Sequence, residues 1–321
     1  MFNSYPTVTA LFTDIADAIR ERGGAAGPIT ANAFPEAIQA IQDIGSLNDD
    51  VFVMMCSRTF SEVNSSIFTA VNEGTFAYCT NLAYANLPAC TTVSSHAFVS
   101  CTSLTSVNIP MCTSIGELAF AMCSSLTSVN FPVCSYIHGR AFDGCNVLAS
   151  VSFPSCNVIG ASAFRSCKSL ISVDFPSCEN ISAYAFYSCS SLVTANFSKC
   201  KSVLANVFNG CVNLSTISLP KCSALATGAF VACKNLKSIN LPACTSIQSR
   251  TFSLCVNLSN ITLAASTICS LSNSDAFYST PYAGYSSYFS GTPRIYVPES
   301  LLTSYKIASN WSYFSSYFSA M

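Results

Sequence analysis

Apolar residues return along this chain with a period of 22. Phenylalanine stands at Phe76, Phe98, Phe120, Phe142, Phe164, Phe186, Phe208, Phe230 and Phe252, with no insertion or deletion between units. Cysteine follows each one by three positions, from Cys79 to Cys255, and a second cysteine series runs from Cys90 to Cys244 half a period away. In a typical unit, residues 98–119, the apolar set is Phe98, Cys101, Leu104, Val107, Ile109, Cys112, Ile115 and Ala119. Within it Val107 and Ile109 alternate before Pro110, which predicts a short parallel strand ending in a turn. Phe98 and Cys101, three apart, predict a shared face on a single helical or 3₁₀ turn. A strict period of this length predicts a solenoid whose units bury their apolar faces against their neighbours. Nine coils at strand spacing would stack to ~45 Å.

The pattern divides the chain into four parts. Residues 75–266 hold the nine repeats. Residues 48–74 read as an N-terminal cap unit, in which Phe60 takes the place of Leu82, Phe68 that of Cys90 and Val71 that of Val93. Terminal units of a solenoid depart from the consensus because they cover a core with no further neighbour. Residues 1–47 read as a helical module. Leu11, Phe12, Ile15, Ala16 and Ile19 recur at helical spacing before Gly23-Gly24, and a second helix starts at Pro35 with Ala37, Ile38, Ile41 and Ile44 on one side. After Leu263 the period slips, and Ala276-Phe277 repeats the unit's Ala-Phe pair displaced by three residues. Residues 267–321 therefore read as a C-terminal cap, with a closing strand and helix over 294–306 and an aromatic cluster of Trp311, Tyr313, Phe314, Tyr317 and Phe318.

Composition refines this. Half the residues are hydrophobic and 9% charged, yet no run of about 18 apolar residues offers a membrane span. The net charge of −1 is uneven: nine acidic and three basic residues in 1–75, four acidic and nine basic in 76–265. Arg140, Lys168, Lys201 and Lys237 are scattered rather than clustered, so nucleic acid is not an expected partner. Of the 19 cysteines, 17 fall on the two repeat registers. That placement predicts reduced, buried packing residues rather than disulfides, and a line of thiols along an axis is not a tetrahedral metal cage. The first residues lack the basic and apolar regions of a secretory signal, so export would be by lysis or assembly into a particle.

The motif F-x-x-C-x-x-L-x-x-V-x-[FIL]-P-x-C-x-x-I-x-x-x-A-F closely resembles the BspA-like class of leucine-rich repeats, with an unbroken second cysteine column where that family often carries other small residues. The resemblance implies an α/β solenoid with short parallel strands and a C-terminal cap; the two helices before it would form an N-terminal helical hairpin or a handle that packs on a partner. Known members resemble surface adhesins and protein- or matrix-binding proteins. The segment Leu11–Arg20 through Pro35–Ile41 resembles the helical leader before variable domains of phage tail and baseplate-associated proteins. It implies attachment through residues 1–45 to other virion subunits, with folding in the reducing host cytoplasm.

No catalytic constellation emerges. His96 and His138 occupy different positions of adjacent repeats, Glu117, Asp143, Asp174 and Glu179 are dispersed, and no cysteine is distinguished from its copies. Phosphate-cradling glycine loops and nucleophile elbows are absent from the sequence. The candidate binding residues lie on the outward face of the predicted strands: Tyr84, Asn86, Asn108, Asn130, Asp174, Asn196 and Asn240. Stacked amides and hydroxyls there would hydrogen-bond a glycan or an extended partner, or satisfy one another. The expected role is a non-enzymatic, tail-associated virion protein contacting a host surface protein or glycan, with no cofactor, no metal and no membrane insertion. A bacterial cell-surface adhesin and a purely structural assembly subunit are the alternatives, and self-association into a homo-oligomer is compatible with each.

Overall fold

The chain's computed structural model describes residues 61–66, 68–283 and 292–321. Each repeat contributes two strands, both parallel to their counterparts in the neighbouring coils. The predicted strand forms as three residues, Ser106–Asn108 in the second repeat, and pairs in register with Tyr84–Asn86 of the coil before it. The same column continues to Asn260–Thr262 and on through Arg294–Val297 and Phe318–Ala320, divided into runs of three, two, three and four strands. A second strand of two residues follows the second cysteine, as at Ser114–Ile115. Ten such strands, from Ala70–Val71 to Ser270–Leu271, form one continuous parallel sheet. Its inward residue is Val, Ile or Leu throughout, from Val71 to Leu271, and each is buried.

The third side of the coil holds no helix, and the α/β expectation is corrected: the repeats are strand and turn only. The only α-helix among the described residues is Leu302–Ile307. The reason lies in where the backbone N–H groups go. Cys101 N–H does close an i→i+3 turn on Phe98 O at 3.2 Å, but Phe98 N–H donates to Ala119 O at 2.7 Å and Ser100 N–H to Ala121 O at 2.8 Å, both in the next coil. Alternate residues must turn over to aim their N–H groups that way. Positive φ accordingly occurs two before the phenylalanine (His96 57°, Leu118 56°, Arg140 54°) and two after it (Ser100 59°, Met122 60°). The left-handed region costs an L-residue about 1–2 kcal/mol, which the inter-coil hydrogen bonds offset along the whole array.

The core is a double file of rings and thiols. Successive first-column phenylalanines stack at centroid distances such as 5.0 Å for Phe98–Phe120 and 5.3 Å for Phe164–Phe186. Phe131, Phe153, Phe175 and Phe197 form a shorter second file, tilted or edge-on against the first. Cysteine suits both registers because it is small and apolar yet carries a weak donor. Cys123 Sγ donates to Phe98 O at 3.1 Å and Cys145 Sγ to Phe120 O at 3.0 Å, each reaching back to the preceding coil. In the second series Cys112 Sγ donates to Ser114 O at 3.2 Å within its own coil. All 18 cysteines of the described residues are free and buried; the remaining one, Cys56, lies outside them.

Before the first repeat, Val71 pairs with Val93 as the pattern requires, and Phe68 packs against the core while half-buried. Phe60 and the helical module of 1–47 lie outside the described residues, as do 284–291 of the stretch before the closing strand. At the other end Phe277 continues the phenylalanine file, its ring 5.6 Å from that of Phe252. Arg294–Val297 adds a parallel strand beside Asn260–Thr262, and Phe318–Ala320 pairs beside it in turn. Trp311, Phe314 and Phe318 are buried, whereas Tyr313 is exposed. Tyr305 Oη accepts from Cys269 N–H at 2.7 Å, and Trp311 Nε1 donates to Cys269 O at 2.6 Å. Asn310 Nδ2 donates to Leu271 O at 2.7 Å. The edge of the ten-stranded sheet is thereby partly occupied, which is how sheet edges are kept from pairing with another chain.

Candidate functional site

Two exposed features could contact a ligand. The first is the outward face of the three-residue strands. Asn108, Asn130, Asp174 and Asn240 are exposed there, and Tyr84, Asn86 and Asn196 are half-buried. In-register pairing sets Asn86 against Asn108, Asp174 against Asn196, and Asn240 against Thr262. The side chains join: Asn108 Nδ2 donates to Asn86 Oδ1 at 2.7 Å, and Asn196 Nδ2 to Asp174 Oδ1 at 2.8 Å. The predicted residues thus lie along one face of the array, with Ser152 and Ser218 in the two coils they skip, and do not converge on a point.

The second feature was not singled out in the sequence. On the turn side of the last coils, Asn206, Asn209, Thr227, Gly228, Val231, Arg250, Ser253, Leu254, Asp275 and Tyr278 line a half-open groove of about 620 Å³. Asn206, Gly228 and Arg250 hold the left-handed position before the phenylalanine, and Leu254 the one after. These positions do not repeat in residue type, and that variability was the available signal.

Most thiols of the repeats sit where burial opposes ionisation; the pKa of Cys244, whose Sγ lies 3.7 Å from that of Cys269, is lowered by that contact. Burial pushes the Cys112 thiol up to about 12 and Cys134 up to about 11; it likewise raises Cys123 and Cys167 well above the ordinary value. A nucleophilic or metal-binding cysteine needs the thiolate, and these environments disfavour it. Asp143 is buried and held by Arg165 in a two-point pair, Nε to Oδ1 at 2.9 Å and Nη2 to Oδ2 at 2.7 Å. His96 Nδ1 lies 3.7 Å from Glu73 Oε1, and the exposed His138 ring packs 4.3 Å from that of Tyr136. Among the described residues no three His, Cys, Asp or Glu side chains gather where a metal ion could be held. No helix there is long and apolar enough to cross a membrane.

A family model described as a BspA type leucine-rich repeat region, of six copies, matches residues 45–171 and 157–283. Among solved structures, a leucine-rich repeat protein of T. pallidum is similar at 32% identity over 48% of this chain and 78% of that one, with a TM-score of 0.45. A leucine-rich repeat protein of Bacteroides ovatus is similar at 20% identity, covering 82% and 84% of the two chains with a TM-score of 0.35. A leucine-rich cell surface protein of Faecalibacterium prausnitzii is similar at 19%, covering 80% and 86% with a TM-score of 0.34. No curated protein matches.

Proposed function

Since this chain belongs to the BspA-type leucine-rich repeat family, we propose that it is a non-enzymatic binding protein of a virion tail that meets a host surface protein or glycan through its exposed strand face. The observation that carries this reading is the polar ladder from Asn86 to Asn240, displayed at fixed spacing on a frame whose thiols are buried. Repeat arrays use such extended surfaces for partners that are themselves extended. The reduced thiols agree with folding in a reducing compartment, and the leader-like sequence of residues 11–41 supplies the proposed attachment to other tail subunits.

The experiment replaces Asn108, Asn130 and Asn196 together by tyrosine and measures adsorption to host cells and to a glycan panel. Adsorption should fall at least tenfold. Unchanged adsorption removes the strand face as the contact. Fractionation tests the setting: the chain should co-purify with particles and should leave them when residues 1–45 are deleted. Recovery in the cell envelope instead would make it a cell-surface adhesin.

A further inference from the structure

We propose that the groove spanning Asn206 to Tyr278 on the turn side is a binding site for an uncharged saccharide. This goes beyond the strand-face reading, because the groove is built by the turn segments of four successive coils and shares no residue with the polar ladder.

The recess exists because Gly228 stands between Asn206 and Arg250 in the left-handed column before the phenylalanine. Gly228 is needed there twice over. Its φ is +67°, and a Cβ would come within 2.6 Å of Asn206 Oδ1 and 3.4 Å of Val231 Cγ2. The missing side chain leaves room for the Asn206 carboxamide, which accepts from Asn209 Nδ2 at 2.9 Å. The two amides at one end of the groove are therefore fixed relative to each other.

The other end carries charge that is internally balanced. Asp275 accepts from Ser249 Oγ at 2.9 Å and from Arg250 N–H at 3.3 Å, and its Oδ2 lies 3.7 Å from Arg250 Nε. Between the ends Leu254 and Tyr278 present partly exposed apolar surface, their backbones joined by Leu254 N–H donating to Tyr278 O at 2.8 Å.

These groups select a ligand class. The amide, guanidinium and carboxylate groups offer donors and acceptors together, as hydroxyl-rich ligands require. The Leu254–Tyr278 wall suits the C–H face of a sugar ring. A phosphate or carboxylate ligand is disfavoured because Asp275 already faces the Arg250 guanidinium. A purely apolar ligand would cover the amide atoms that the Asn206–Asn209 bond does not use, at a desolvation cost. The volume falls inside the range of about 300–1,000 Å³ common to small-molecule sites.

The test uses the full chain and saturation-transfer NMR with four neutral probes: maltotriose, cellotriose, chitotriose and lacto-N-tetraose. At least one should show transfer in the unaltered protein. Binding should weaken at least tenfold in Gly228→Asn, which fills the recess with a residue the same column already carries at position 206, and in Tyr278→Ala, a change at a half-exposed side chain. Asn130→Tyr should leave it unchanged. No transfer to any of the four probes overturns the proposal, as does equal binding by both groove variants. Loss only in Asn130→Tyr overturns it while supporting the strand-face reading. A fifth, sialylated probe, 3′-sialyllactose, serves as the anionic control: transfer to it alone, abolished by Arg250→Gln, overturns the uncharged class.

Discussion

Raising the pH above 9 removes protons from the thiols of the unfolded chain but not from those inside the array, and the protein should unfold as a result. Burial holds Cys134 and Cys222 at about 11 and Cys112, Cys145, Cys178, Cys189 and Cys200 at about 12, against an ordinary value of 9.0. For an acid whose folded value is raised, stability is fully present below the unfolded value and is lost as pH climbs from there toward the folded one. The window therefore opens near pH 9. At pH 10 each such thiol favours the unfolded state by about 1 kcal/mol. Seven thiols acting in one direction reach the scale of a typical domain's whole stability, about 5–15 kcal/mol. Cys123, Cys167 and Cys211, also raised by burial, act in the same direction. Circular dichroism and thiolate ultraviolet absorbance, followed together from pH 7 to 11, should change in one step between about pH 9 and 10.5. Thiolate absorbance that rises near pH 9 while the dichroism stays native would refute the reasoning, because the thiols would then ionise inside the fold.

Phe164→Ala should cost about 3–5 kcal/mol in a urea titration, at the upper end of that range, since its ring stacks on Phe142 at 5.2 Å and on Phe186 at 5.3 Å. Ala232→Gly should be neutral or stabilising by up to ~1 kcal/mol, because Ala232 has φ +58°; a loss of stability would contradict the left-handed assignment. Tyr305→Phe should cost about 1–3 kcal/mol by orphaning a buried donor, the Cys269 N–H it now receives at 2.7 Å, and thermal denaturation would read it.

The radial organisation of the repeats was legible in the sequence because it depends on side chains that repeat. Phe98, Cys101, Leu104, Ile109 and Cys112 are all fully buried, and the predicted strand forms at Ser106–Asn108. Two features of the backbone were hidden. The sheet through Ser114–Ile115 is only two residues wide, too short for an alternation of faces to show. The left-handed columns carry glycine at only Gly74, Gly144, Gly210 and Gly228; His, Leu, Arg, Tyr and Met occupy others, so the usual marker of positive φ is absent. The turn read from Phe and Cys three apart does form, as Cys101 N–H on Phe98 O, but hydrogen bonding to the next coil keeps it from extending into a helix. Of the two exposed features, the Asn ladder was readable because it repeats with the period. The groove was not, because it consists of departures from the repeat, such as Gly228 between Asn206 and Arg250 and the displaced Asp275.

Native-state alkylation tests the stacking of coils most directly. The folded protein is treated with iodoacetamide at pH 7.5, digested, and mapped by mass spectrometry beside a urea-unfolded control. The 18 cysteines from Cys79 to Cys269 should remain unmodified until the chain unfolds. Labelling of Cys123, Cys167 or any other member of the two columns at the unfolded rate, with the dichroism still native, would mean that the sulfur atoms do not line a closed interior.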